Sequence, residues 1–263
     1  MWTIRRRWCR GRCPRRATGW PTARSSATSC SATWSAMAEL VVVGTPIGNL
    51  GDLTPAARAA LDTADVICAE DTRRTRKLLS AFDIHPRLLV SVREHNEQRE
   101  SARVLRWLAE GRRVAYVTDA GMPTVSDPGQ RLVRAVLDGG GRVAVVPGPD
   151  AVTTALLLSG FPARSWCFEG FLPVKGSARA QRLAAVADEY RTVVLFEAPH
   201  RLLRTLADLS TSCAPDREVA VAGDLTKRFE RVWRGRLGEV QGELATTEPR
   251  GEFVIVLAPG RTP

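Results

Sequence analysis

From Leu40 onward, short apolar runs alternate five times with helix-forming segments before residue 161, and this alternation restricts the fold more than any other feature. Residues 40–43, 66–69, 88–92, 113–118 and 142–146 are rich in Val, Leu and Ile and read as buried strands. Helix signals fill the gaps. Thr54-Pro55 caps a helix running to about Thr63, a second reads over about 75–81, and a third passes through Val104, Leu105 and Leu108 to Gly111. A fourth stops at Gly139-Gly140-Gly141, and an apolar fifth follows Asp150 and ends at Gly160. Strands that alternate with helices predict a mainly parallel sheet, helices on its faces, and strand-end loops gathered along one edge.

The longest of these loops follows the fourth strand. It runs Thr118-Asp119-Ala120-Gly121-Met122-Pro123-Thr124-Val125-Ser126-Asp127-Pro128-Gly129. Asp127-Pro128-Gly129-Gln130 reads as a helix start, with Asp127 as the cap, Pro128 as the first helical residue and Gln130 at the capping-box position. Loops at the carboxyl ends of parallel strands are where such sheets bind ligands, and glycine lets the backbone approach one closely. The loop after the first strand, Gly44-x-x-x-Gly48-x-x-Gly51, is neither a dinucleotide fingerprint nor a phosphate-binding P-loop.

Past Phe161-Pro162 the pattern changes. Residues 166–168 form a short strand, Gly170-Phe171-Leu172-Pro173 breaks the chain, and a helix covers about 179–189. Strands at 192–196, 218–222, 231–234 and 252–257 follow, with a helix to about Ser210 and another short one before the last strand. Some antiparallel pairing is expected there. The reading is two α/β domains, 37–162 with a mainly parallel sheet and 163–263 with a mixed one.

Residues 1–36 stand apart. They hold eight arginines and no acidic residue, and account for most of the formal net charge of +10: the rest of the chain has 30 basic residues against 28 acidic. No apolar period runs through the segment, and Met37 opens a natural chain start leading straight into a strand. The expectation is a disordered or mis-assigned extension. Cys68, Cys167 and Cys213 form no C-x-x-C and read as reduced thiols of a cytosolic protein. No run is long and apolar enough to span a membrane. His85, His95 and His200 have no metal-ligand spacing, so no metal site is expected.

Glu70, Asp71, Asp119, Asp150 and Glu197 all sit at strand ends, where clustered carboxylates suit a cation such as a sulfonium or a hard metal. Arg73, Arg74, Arg76 and Lys77, then Lys175, Arg179 and Arg182, then Arg201 and Arg204, are basic clusters near those loops and suit a phosphate-rich partner.

Seven motifs in order resemble one family: Gly44-Thr-Pro-Ile-Gly-Asn-Leu50, Ala69-Glu-Asp-Thr-Arg73, His95-Asn-Glu-Gln98, Thr118-Asp-Ala-Gly-Met-Pro123 with Ser126-Asp-Pro-Gly129, Pro147-Gly-Pro149, Glu169-Gly-Phe-Leu-Pro-x-Lys175 and Leu225-Thr-Lys227. The chain resembles the ribosomal RNA small subunit methyltransferase I family, of the tetrapyrrole methylase fold. That resemblance implies S-adenosylmethionine-dependent 2′-O-methylation of a cytidine in the decoding region of 16S rRNA. It also implies a cytoplasmic homodimer that acts within the small ribosomal subunit. Carried over position by position, it places the cofactor on Thr45, Pro46, Ile47, Asp119, Ala120, Gly121, Pro123, Asp150, Ala151 and Phe196. Arg73, Lys175, Arg179 and Lys227 would face RNA. Asp71, Lys227, Glu197 and Glu70 are the candidate acceptors of the hydroxyl proton, Asp71 and Lys227 ranked first; lysine would need a lowered pKa.

Two positions depart from the family pattern. Met122 stands where Thr is usual, and Gly223-Asp224 replaces an Arg-Glu pair. Two other functions compete. One is a methyltransferase of the same fold acting on a small tetrapyrrole-like molecule. The other is a non-catalytic RNA-binding protein that draws its affinity from the arginine-rich segment.

Overall fold

The computed structural model describes residues 39–260; the arginine-rich segment lies outside the described residues. The first sheet comprises β1 (Glu39–Val43), β2 (Val66–Ala69), β3 (Leu89–Ser91), β4 (Val114–Val117) and β5 (Arg142–Val146). All pairs are parallel, in the order β3-β2-β4-β1-β5. β2 and β4 are buried at every residue because helices cover both faces. α1 (Pro55–Thr63) and α2 (Thr72–Ala81) pack Leu61 and Leu79 against Val43, Ile67 and Val117 on one face. α3 (Glu97–Ala109) and α4 (Gln130–Asp138) pack Leu108 and Leu132 against Leu40, Cys68 and Tyr116 on the other. Successive strand residues thus serve opposite cores, and each large apolar side chain fully buried contributes about 1.5–3 kcal/mol.

The second sheet is mixed. It contains β6 (Trp166–Phe171), β7 (Thr192–Glu197), β8 (Glu218–Gly223), β9 (Arg231–Arg236) and β10 (Phe253–Leu257), in the order β6-β7-β10-β8-β9. Only β6 and β7 run parallel. β10 enters the middle of this sheet, which is why its Phe-Val-Ile-Val-Leu run is buried throughout. α6 (Gly176–Asp188), α7 (Pro199–Ser212) and α8 (Leu237–Ala245) cover one face. α5 (Ala151–Ser159) covers the other, setting Val152, Ala155 and Leu156 against Val194, Ala222 and Val254.

Local signals place several boundaries as the residues suggest. Thr54 Oγ1 accepts the Ala57 amide at 3.0 Å with Pro55 opening α1, and Gly160 ends α5 in the left-handed region (φ 75°). Others differ. α2 starts at Thr72, not near Thr75, because the Asp71 carboxylate caps it through the Arg73 amide at 2.8 Å. β6 does not break at Gly170; a bulge between Phe168 and Gly170 (φ 62°) lets pairing with β7 continue to Phe171. α4 starts at Gln130, so Asp127 is not its cap and Pro128 is not helical. The N-terminal amides of α4 go instead to Glu97 on α3: its Oε1 accepts from Gly129 N at 3.1 Å and Leu132 N at 2.8 Å. Gly129 (φ 119°) lies so close to the Tyr116 ring that no side chain fits there.

Candidate active site

β1 and β4 are neighbours whose chains leave to opposite faces of the sheet, through α1 and α4. Their carboxyl-end loops are joined backbone to backbone: Thr45 N donates to Gly121 O at 2.9 Å and Gly121 N to Thr45 O at 3.0 Å. The loop after β5 closes on the same place. A methyl group on Gly44 would lie 2.7 Å from the Gly148 backbone, so only glycine permits this approach. Met122 fills the space alongside, and its Sδ accepts the Gly148 amide at 3.3 Å. The thioether thus supplies an acceptor at the position where the resemblance leads to a threonine hydroxyl being expected.

These loops and the edge of the second sheet enclose a cavity of about 320 Å³. Ile47, Ala120, Gly121, Asp150 and Ala151 line it from the first sheet; Phe171, Phe196, Leu225 and Glu252 line it from the second. Phe196 anchors an aromatic wall, edge-on to Phe168 at 4.9 Å and to Phe171 at 5.7 Å between ring centres. The Asp150 carboxylate caps α5 through the amides of Val152 and Thr153.

A second, polar cleft of about 770 Å³ adjoins the cavity, and Ser126 and Asp127 belong to the walls of both. Glu70, Asp71 and Asp119 line this cleft together with Arg73, Arg93 and Arg131. Burial, then the neighbouring Asp119 charge, pushes the Glu70 carboxyl up. Asp71 goes the other way: Arg73 grips both of its oxygens, at 3.1 and 2.7 Å, and holds it far below the usual carboxylate range. Burial pushes Asp127 up to about 6; the Thr118 hydroxyl, outside ideal hydrogen-bond geometry, offsets part of this, and the charges of Glu70, Asp119 and Glu252 add to it.

The ten positions assigned to the cofactor separate in the structure. Ile47, Ala120, Gly121, Asp150, Ala151 and Phe196 face the cavity. Thr45 is buried in the bridge between loops, with Pro46 next to it. Asp119 turns into the polar cleft, where it accepts the Asp71 amide at 3.1 Å and meets Arg74 at 3.4 Å. Pro123 lies on an apolar groove beside β5.

The candidate bases also separate. Glu197 is buried at the cavity wall with both oxygens committed, accepting from Thr205 Oγ1 at 2.6 Å and Ala198 N at 2.9 Å and pairing with Arg201 at 3.1 Å. Lys227 Nζ lies 2.9 Å from both Asp224 and Glu252. Burial lowers its pKa, but the hydrogen bonds and charges of those two carboxylates outweigh this and the net shift is upward. A lysine held protonated in this way is unsuited to removing a proton. Asp71, clamped by Arg73, is a weak base for the same electrostatic reason.

Of the residues expected to face RNA, Lys175 and Arg73 are exposed, but Arg179 is not. Arg179 is only 4% exposed and binds Asp208 Oδ2, Pro173 O and Thr205 Oγ1 at 2.7–3.0 Å, tying α6 to α7. Its role is structural. At Gly223, a side chain would run into Phe253 and Trp233, and Asp224 gives Lys227 one of its two carboxylates, so the departure at this pair changes what that lysine contacts. Ser126, Asp127 and Phe171, which fall within motifs of the resemblance but carry no site role there, and Glu252 also line the cavity. Asp127 matched a capping pattern, and nothing near Glu252 marks it as a wall of the cavity. Among the described residues, no group of three or more His, Cys, Asp or Glu is arranged to hold a metal ion.

The fold and the inter-sheet cavity define the class: the sequence matches the Tetrapyrrole (Corrin/Porphyrin) Methylases over residues 39–241. A cobalt precorrin-4 methyltransferase superposes with a TM-score of 0.65 at 17% identity, covering 88% of this chain and 98% of that one. A uroporphyrin-III C-methyl transferase from Thermus thermophilus, complexed with S-adenyl homocysteine, superposes at 0.58 with 22% identity, covering 84% and 97%. Relatives named ribosomal RNA small subunit methyltransferase I are nearer in sequence. That of Xylella fastidiosa is 48% identical over 220 residues, 83% of this chain and 80% of its own, and that of Thermotoga maritima 44% over 222 residues, 84% and 99%. The chain belongs to the ribosomal RNA small subunit methyltransferase I family.

Proposed function

We propose that this protein transfers a methyl group from S-adenosylmethionine to the ribose 2′-hydroxyl of a cytidine in the decoding region of 16S rRNA. The observation that carries the reading is the pair of adjoining hollows. One is apolar, walled by aromatics and of small-molecule size; the other is polar, open and rimmed by Arg73, Arg93 and Arg131. The cavity suits the cofactor chemically. Ile47, Leu225 and Phe196 offer apolar surface to a flat base, and Asp127 and Glu252 set carboxylates opposite a cation. Bound there, S-adenosylmethionine supplies an electrophilic methyl. The chain's task is then to hold the acceptor hydroxyl in line and close, which is the larger part of such catalysis. Exposed Arg73 and Lys175 support a phosphate-bearing partner.

A homodimer fits the apolar groove along the edge strand β5, where Val145 is 56% exposed beside Val143, Trp166 and Phe168. No described helix is long and apolar enough to cross a membrane; action on ribosomal particles implies the cytoplasm. The working division is a catalytic body of two domains, 37–162 and 163–263, with residues 1–36 dispensable.

The test uses the full chain and a chain starting at Met37, each incubated with methyl-labelled S-adenosylmethionine and unmethylated 30S subunits. Label on one cytidine ribose, from both chains, is the expected result. Cofactor binding without label on the subunit would redirect the search to another acceptor, a tetrapyrrole included. Neither binding nor label would overturn the reading and leave RNA binding alone as the function.

A further inference from the structure

Asp127 is the carboxylate that faces both hollows. It lines the apolar cavity and the polar cleft, so whatever passes from one to the other meets it. Unlike Asp71, Asp119, Glu197 and Glu252, it forms no ion pair among the described residues. Its position is held from several sides. Glu97 fixes the backbone just after it through Gly129 and Leu132. Just before it, Thr124 (φ 73°) and Ser126 (φ 61°) are in the left-handed region, a strain that persists in non-glycine residues only where the surroundings enforce it. Ser126 also abuts Gly170 of β6, where an added methyl would stand 3.2 Å from its Oγ.

We propose that Asp127 receives the proton of the acceptor hydroxyl, which enters along the polar cleft and is methylated at the wall shared with the cavity. This rests on the methyltransferase reading above. The hydroxyl O–H bond breaks toward a carboxylate oxygen of Asp127 as the O–C bond to the methyl forms. The S–C bond breaks with its electron pair remaining on sulfur, so a sulfonium becomes a thioether, and the proton passes from Asp127 to water. A base serves best when its pKa lies near the working pH, and burial with three acidic neighbours brings Asp127 there. The titratable groups that act on it are Glu70 at the end of β2, Asp119 after β4, Glu252 ahead of β10 and the Tyr116 phenol on β4. Asp71, Arg73, Arg93, Glu94, His95, Glu97 and Arg131 line the same cleft, and Asp150 and Glu197 the cavity.

The test compares full-length wild type, Asp127→Asn and, as a control for the imidazole in the cleft, His95→Gln. Whatever their absolute rates on 30S subunits, wild type and His95→Gln are both expected to show a single-turnover rate that rises with pH and levels off above about 6–7, as for a base that must be ionised. Asp127→Asn is expected to lose about 10²-fold or more of the rate, and with it the acid limb, while calorimetry shows S-adenosylmethionine still bound, more weakly by the loss of one carboxylate, because Glu252 still faces the cation. Carbon-13 titration of the ligand-free protein supplies a readout independent of activity: one aspartate carboxyl titrating well above its fellows, absent from Asp127→Asn. A wild-type rate flat from pH 5 to 8, or an acid limb retained in Asp127→Asn, would overturn the proposal even with methylation confirmed. Wild type that neither binds the cofactor nor methylates would overturn it together with the reading it rests on.

Discussion

Removing the Glu97 carboxylate should loosen the catalytic loop from a distance. Glu97 is buried on α3, and its Oε1 accepts the amides of Gly129 and Leu132, at 3.1 and 2.8 Å, where α4 begins. Each hydrogen bond to a charged acceptor is worth about 1.5–3 kcal/mol, and the helix N-terminus adds to the attraction. Against this stands the cost of burying the carboxylate, recovered when it is removed. The net expectation for Glu97→Ala is a loss of about 3 kcal/mol. At about 2–4 °C per kcal/mol for a chain of this size, the Tm should fall by roughly 6–12 °C. Glu97→Gln keeps an oxygen able to accept both amides but not the charge, so about half the loss is expected. Because Ala120, Gly121, Met122, Val125, Ser126 and Asp127 line the cavity, Glu97→Ala should also weaken S-adenosylmethionine binding in calorimetry, whereas an α3 change remote from the loop should not. Thermal unfolding that shows less than about 1 kcal/mol lost, with cofactor affinity unchanged, would refute the argument that this one carboxylate caps α4.

The strain at Asp127 predicts a gain in stability when its charge is removed. Its folded pKa of about 6 lies above its unfolded value, so ionising it costs more in the folded state; that cost is fully present above pH 6 and absent below the unfolded pKa. Solvent screening of this half-exposed carboxylate reduces the effect, so Asp127→Asn should be more stable than wild type by about 1–2 kcal/mol at pH 8, converging with it near pH 4, as followed by urea unfolding. Arg179→Met should lower the Tm by severing α6 from Asp208 and Thr205 on α7, yet leave the salt dependence of RNA binding unchanged. Exposed Lys175 gives the contrast: Lys175→Ala should keep the Tm and reduce the slope of log K against log salt by about 1.

The sequence was legible where one segment contains both the signal and its target. β2 falls on the apolar run Val66–Ala69, and Thr54 caps α1 three residues on because threonine and amide are local partners. The loops that form the site were legible for a similar reason: parallel strands send their carboxyl ends to one edge. Distant partners hid the rest. Asp127-Pro128-Gly129-Gln130 obeys the local grammar of a helix start, but a carboxylate 32 residues upstream takes the amides. Arg179 resembles a surface cation in its own helix; it is buried because Asp208 and Thr205 lie across from it on α7. Pro123 and Asp119 share a loop with Ala120 and Gly121 yet face other hollows, since the second sheet decides which side of the loop is walled.

The same reasoning explains why the candidate bases could not be ranked from residue type. The site holds several carboxylates of nearly identical intrinsic acidity, and the fold drives them apart. Arg73 holds Asp71 ionised, the α5 amides occupy Asp150, Thr205 and Arg201 occupy Glu197, and Lys227 draws in Glu252. Asp127 is left half-buried among acids, without a cation, at the wall between the two hollows. Of these partners Lys227 lies 25 residues from Glu252, whereas Arg73, the Asp150 cap and the contacts of Glu197 are local, so it is the fold's choice among nearby partners that sorts the acids. A proton acceptor for a poor nucleophile needs both access and an affinity for protons near neutral pH. Each partner that stabilises another carboxylate of this site removes one of those two properties. Glu70, raised by burial and by Asp119 and likewise without an ion pair among the described residues, lines only the polar cleft, and the carboxylate that keeps a raised proton affinity at the wall of both hollows is Asp127.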